Sequence, residues 1–193
     1  MQYIIATHNQ GKLAELRRIL APMGIEAVTV EGLSEPEENG ATFAENAYIK
    51  AAAACRETGK PAVADDSGLC IDALGGEPGV RTARYAPVGQ RKLTVLQKLS
   101  GLPRPQRTAR FVSAVCCVFP DGRVITAEGV CEGYIGTACR GDGGFGYDPI
   151  FEIEDGRTFA ELDDGEKDAI SHRGKALRLF KQKLQEELEK SLC

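Results

Sequence analysis

Near the middle of this chain the hydrophobic pattern changes period, and that change limits the folds open to it. Up to about residue 100, short apolar runs alternate with helical repeats. From Arg110 two strand-like runs follow each other directly, Arg110 to Phe119 and Val124 to Tyr134, with the turn Asp121-Gly122 between them. That pattern is an antiparallel hairpin. Helix–strand alternation followed by a hairpin predicts an α/β fold with a mixed sheet.

The first half divides further. Tyr3 to Ala6 reads as a buried strand and Thr7 to Lys12 as a turn; Leu13, Leu16, Ile19 and Leu20 then mark a helix stopped by Pro22 and Gly24. Ile25 to Val30 is a second strand, and residues 34–40 form an acidic loop. Thr42 and Glu45 make a capping box for an alanine-rich helix running to Gly59. Pro61 to Ala64 is a third strand, ending in the turn-like Asp65-Asp66-Ser67-Gly68; Leu69 to Leu74 is extended. Leu93, Leu96 and Leu99 give a short helix. A last helix starts near Ser171 and carries Leu177, Phe180, Leu184 and Leu188 on one face.

No repeat or linker interrupts residues 1–193, a length that suits one domain with room for two lobes. The net charge of −4 argues against a nucleic-acid binder, which needs surplus Lys and Arg. A small phosphorylated ligand in a locally basic pocket stays open. Seven cysteines without a C-x-x-C pair, beside only His8 and His172, argue against a zinc site. They read as reduced thiols of a cytoplasmic protein, most of them filling the core. No apolar stretch is long enough to span a membrane, and the first residues lack a basic signal-peptide region.

Four segments carry possible chemistry. Gly11-Lys12 at a helix entry suits a phosphate, with Thr7 and Asn9 as further donors; the plain alternative is a solvated entry turn. Asp65 and Asp66 suit a Mg²⁺ shared with substrate phosphates, one holding metal while the other activates water, and Glu35, Glu37 or Glu38 can lend another carboxylate. The alternatives are an Asx-type turn and a solvated acidic loop. Residues 141–148 hold glycines around Phe145 and Tyr147, as expected for backbone close to a flat ligand or for a flexible lid. His172 and Arg173 sit in a helix first turn, where cations oppose the dipole, pointing to a base edge or phosphate as their partner.

Thr7-His8-Asn9-Gln10-Gly11-Lys12, the helix start Thr42 to Ala47, Asp65-Asp66-Ser67-Gly68-Leu69, Gly143 to Phe151 and Ser171-His172-Arg173-Gly174 occur in this order. As a set they resemble the inosine triphosphate pyrophosphatase (Ham1-like) family, which clears non-canonical purine nucleotides. The resemblance implies an elongated mixed sheet flanked by helices, with the active cleft between two lobes. It also implies a Mg²⁺-dependent homodimer that hydrolyses ITP, dITP and XTP to the monophosphate and pyrophosphate.

Carried over by motif, Thr7, Asn9 and Lys12 would hold the triphosphate, with His8, Gln10 and Gly11 as further substrate-binding positions. Glu38 and Asp66 hold the metal, with Asp66 as general base and Asp65 beside it, and Ser67 touches substrate. Phe145 stacks on the base within Phe145-Gly146-Tyr147-Asp148, and Asp148, Lys167, His172 and Arg173 read its edge. Lys, Arg or His⁺ would donate to a purine 6-keto oxygen, whereas adenine would leave these donors unpaired. The segment Thr82-Ala83-Arg84-Tyr85-Ala86-Pro87 departs from the family pattern, and the stretch to Leu93 is short. A non-hydrolytic nucleotide sensor is the rival reading, and the joint presence of Glu38, Asp65 and Asp66 weighs for an enzyme.

Overall fold

The computed structural model describes residues 2–190. Six strands form one mixed sheet in the order β2-β1-β3-β4-β5-β6. The strands are β1 (Gln2–Ile5), β2 (Glu26–Val28), β3 (Ala62–Ile71), β4 (Thr108–Val118), β5 (Val124–Ile135) and β6 (Phe151–Glu152). The helices are α1 (Gln10–Leu20), α2 (Phe43–Thr58), α3 (Arg91–Lys98), α4 (Asp164–Ile170) and α5 (His172–Lys190). β1 pairs in parallel with β2 and β3, and the β3–β4–β5–β6 pairings are antiparallel, so the expected mixed α/β sheet is present.

Local signals set most element ends. The Asn9 side chain accepts from the Lys12 amide, so α1 opens at Gln10 and takes Gly11 and Lys12 into its first turn. The Thr42–Glu45 capping box opens α2, and Gly59, left-handed at φ 65°, closes it. A second box, Asp163 with Glu166, opens α4, a helix the sequence reading passed over. The larger difference concerns β3. The sequence suggests a strand ending at Ala64, yet β3 continues through Asp65-Asp66-Ser67-Gly68 to Ile71. β4 pairs with every residue of it, from Ala62↔Val118 to Ile71↔Ala109. A full ladder on one side satisfies the backbone, and the two carboxylates find cations across the sheet.

The long strands β3, β4 and β5 carry two cores at their opposite ends. At one end Val63, Val115, Cys117 and Ile125 pack with Leu16 and Leu20 of α1 and with Leu177, Phe180 and Leu184 of α5. At the other, Leu69, Ile71, Phe111 and Cys131 pack with Val95 of α3, Phe151 and Phe159. α2 covers the opposite sheet face, where Ala47 and Ala51 meet Ala64, Ala114 and Cys116. Cys55, Cys116, Cys117 and Cys131 are buried as expected, while Cys139 is exposed and Cys70 half-buried. Cys193 lies outside the described residues, and the side chain of Leu188 likewise.

Candidate active site

The site lies where a short strand ends beside a long one. β1 stops at Ile5 and the Ala6 amide makes the next bond, to the Val63 carbonyl. Among the described residues, no strand pairs β3 on that side from Ala64 to Gly68. A cleft of about 640 Å³ opens there. It is lined by the 7–12 turn, the 33–38 loop, Lys50, Asp66 to Gly68, residues 80–84, Arg91, the 145–148 segment, Lys167, His172 and Arg173.

Strand pleating separates the two adjacent aspartates. Asp65, 1% exposed, lies beneath the cleft and does not line it. Lys12 reaches its carboxylate at 2.8 Å and Arg173 at 3.1 Å, and the Ser113 hydroxyl donates to it as well. Burial pushes the Asp65 carboxyl up, but Arg173 and Lys12 outweigh it and hold the group well below the usual carboxylate range. Asp66 faces the other way. Its Oδ1 accepts from Lys50 at 2.9 Å, and its buried Oδ2 has no hydrogen-bond partner among the described residues. Burial raises the Asp66 carboxyl despite Lys50. Lys50 also pairs with Glu38 at 2.9 Å, so Glu38, Lys50 and Asp66 form one group at the cleft wall.

The far end of the cleft is built around Phe145. Below its ring lie Lys167, 4.9 Å from the centroid, and Arg173, at 5.7 Å. Lys167 pairs with Glu15 at 2.6 Å and Asp148 at 2.7 Å, and Arg173 also pairs with Glu15. Glu15 is a carboxylate buried on the apolar face of α1. Burial works against its charge, but Arg173 and Lys167 keep it ionised. Asp148 accepts from the Phe145 amide at 2.7 Å, which ties the loop to this network. His172 stacks on Phe111 at 4.7 Å and 12°.

Burial, then Arg173, depress the His172 imidazole well below 6.5, so it is neutral. This corrects the expected imidazolium: His172 can offer only the N–H of a neutral ring. It also explains the first turn of α5, where one side chain is uncharged and the other is neutralised by Glu15 and Asp65. Below pH 6.5 the unfolded chain binds a proton here that the folded chain refuses, so acidification destabilises the fold. The cost is about 1.4 kcal/mol per pH unit until the depressed value is reached. The wild-type thermal midpoint should therefore fall more steeply between pH 6.5 and 5.5 than that of His172→Gln. Parallel curves would show that His172 does not stay neutral.

Residues 3–183 match the Ham1 family. The chain belongs to the Ham1 family. It is 49% identical over 188 residues to a dITP/XTP pyrophosphatase of Desulforamulus reducens, covering 92% of each chain. It is 50% identical over 177 residues to one of Symbiobacterium thermophilum, covering 90% of each. A solved HAM1 protein from Coxiella burnetii superposes with a TM-score of 0.86 at 40% identity, covering 96% of this chain and 99% of that one.

Within this Ham1-family cleft, the lining includes Thr7, His8, Asn9, Lys12, Glu38, Asp66, Ser67, Phe145, Gly146, Tyr147, Asp148, Lys167, His172 and Arg173. Gln10, Gly11 and Asp65 are not among them. Gln10 is exposed on α1. Gly11 has a different reason from phosphate approach: a Cβ there would stand 2.6 Å from Phe145 Cδ1, so glycine lets the ring lie on the helix. The 141–146 glycines also serve the protein itself. A Cβ on Gly141 would strike the backbone of Ala160, and Gly144, at φ +66°, would meet the Asp148 carboxylate. His8 sits at the mouth, 3.6 Å from Glu35. Tyr147 donates to the Thr82 carbonyl, and burial pushes its hydroxyl up to about 12.

Sequence reading missed Glu15, Lys50 and Ser113. The available signal was a lone charge on an apolar helix face: Glu15 beside Leu16 and Ile19, Lys50 between Ala47 and Ala54.

Among the described residues, no three His, Cys, Asp or Glu side chains converge as a metal cage. The pair Glu38 and Asp66 still fits Mg²⁺, because this ion commonly takes one or two carboxylates and completes its shell with substrate phosphates and water. The Asp66 carboxylate can serve such an ion through Oδ1, whose second lone pair stays open beside the Lys50 bond, and Oδ2 is left without a protein partner among the described residues.

Proposed function

We propose that this chain is a Mg²⁺-dependent pyrophosphatase that hydrolyses dITP, ITP and XTP to the nucleoside monophosphate and pyrophosphate. The observation that carries the reading is the division of one cleft: an unpartnered carboxylate oxygen beside two lysines at one end, and an aromatic ring over paired cations at the other. The names of the relatives support the same activity.

The chain's own groups divide the work. Thr7, Asn9, Lys12 and Lys50 hold the triphosphate; the Asn9 carbonyl caps α1, leaving its amide NH₂ to donate. Glu38 and Asp66 would hold Mg²⁺, which when bound polarises the phosphoryl oxygens and steadies the leaving pyrophosphate. Water attacks the α-phosphorus, its proton passes to Asp66 Oδ2, and the α–β anhydride bond breaks with its electron pair leaving on pyrophosphate. The raised affinity of Asp66 for a proton suits that role. Asp65 does not reach the reacting atoms; it positions Lys12 and Arg173.

Phe145 stacks on the purine, and Ser67 lies alongside the bound nucleotide. Lys167 spends two of its three donors on Glu15 and Asp148, leaving one for a 6-keto oxygen. Adenine offers an amino donor at that position, and buried donors left facing it make it a poor ligand. We read residues 1–193 as one two-lobed unit acting as a homodimer in the cytoplasm, where its free thiols stay reduced.

Pyrophosphate release from ITP, XTP, dUTP and the four common triphosphates, with and without chelator, tests the proposal. ITP and XTP should turn over at least about 10²-fold faster than ATP, and chelation should abolish the reaction. Equal turnover of ATP would sink the base selection, and binding without turnover would leave a nucleotide sensor.

A further inference from the structure

Positive charge in the cleft is almost entirely used. Lys12, Lys50, Lys167 and Arg173 each sit on at least one carboxylate. Arg84 donates a 3.4 Å bond to the Glu38 carbonyl, tying the 80–84 turn to the acidic loop. Arg91 also lines the cleft, half-buried, and has no hydrogen-bond or ion-pair partner among the described residues.

Its position is locally unfavourable. Arg91 opens α3 with Lys92 beside it, and this helix has no acidic residue in its first turn and no side-chain cap. Cations there oppose the helix dipole, and the first N–H groups lack an acceptor. Arg91 shares the cleft lining with Tyr147, and its charge opposes the effect of burial on that hydroxyl. Arginine also presents a planar fork that matches phosphate oxygens.

We propose that Arg91 is a substrate-binding residue, an arginine of the cleft lining that contacts the phosphate chain of the bound nucleotide. The inference rests on the nucleotide reading above and extends it to the segment that departs from the family pattern. In that short stretch between Pro87 and Leu93, the chain brings a cation to the cleft at the start of a helix. Arg91 binds the ground state and the transition state alike, so its contribution falls on KM more than on kcat.

Calorimetric titration with ITP, inorganic tripolyphosphate and the uncharged nucleoside inosine tests this on wild type, Arg91→Gln and Arg91→Lys. Loss of one charge-assisted phosphate contact should weaken ITP and tripolyphosphate binding roughly tenfold. Inosine binding should be unchanged, lysine should recover most of the loss, and kcat at saturating ITP should hold within about threefold. Arg91→Gln should also flatten the salt dependence of tripolyphosphate binding. Because Arg91 has no hydrogen-bond or ion-pair partner among the described residues and its charge opposes the α3 dipole, thermal stability of Arg91→Gln should hold or rise slightly. Unchanged tripolyphosphate affinity in Arg91→Gln overturns the proposal, as does an equal loss for inosine. Wild-type protein that binds tripolyphosphate but releases no pyrophosphate from ITP removes the catalytic reading alone, and the same titration still decides Arg91. Wild type that binds neither ligand overturns both.

Discussion

Asp66→Asn should lose turnover of ITP by about 10²–10⁴-fold, the range typical of a removed general base, while ITP affinity stays close to wild type. The substitution keeps the shape of the side chain and an oxygen for the Lys50 bond, 2.9 Å in the native protein. It removes the proton acceptor at Oδ2, which no protein group occupies. Fast-quench measurement of pyrophosphate release, paired with calorimetric ITP titration, separates the two effects. Full activity in this variant would remove Asp66 as the base. A parallel loss of binding and rate would reassign it to holding the nucleotide.

Arg173→Met should cost about 3–5 kcal/mol of stability, the usual consequence of breaking a buried ion pair. That corresponds to a thermal midpoint lower by on the order of 10 °C for a domain of this size. Arg173 is 1% exposed and bridges Glu15 on α1 to Asp65 on β3. Its removal leaves Glu15 with Lys167 alone and Asp65 with Lys12 alone, so two buried carboxylates each lose one cation. Adding Glu15→Gln should recover part of the loss, since one of the two under-compensated carboxylates is then neutral. Arg173→Lys should fall less than Arg173→Met because it keeps a cation in place. Thermal melts followed by circular dichroism read all three, and a midpoint shift of only a degree or two in Arg173→Met would show that the pair is not buried as described.

Much of this molecule was legible in local sequence. Capping at Thr42 and Glu45, the stop at Gly59 and the hairpin across Asp121-Gly122 all rest on interactions spanning a few residues, and each stands where the sequence places it. The motif set also marked part of the cleft lining, because family motifs record which residue types surround a ligand. The 65–68 segment was different. Its carboxylates and glycine read as a turn, and only the β4 ladder with cations from α1, α2 and α5 makes it a strand.

The charge states were also beyond local reading. Lys167 meets Glu15 across 152 positions, and Arg173 meets Asp65 across 108. Sequence alone therefore determined the order of the main elements, the ends of α2 and many of the chemically active side chains, while α4, Glu15, Lys50 and Ser113 escaped it. Tertiary structure decided that Asp65 is an anchor beneath the cleft, that Asp66 keeps a free oxygen, that His172 is neutral and that Gly11 makes room for Phe145. The physical reason is that helix caps and periodicity are properties of neighbours along the chain. The energy of a buried charge depends instead on water excluded and partners supplied by segments that meet only when the sheet is assembled.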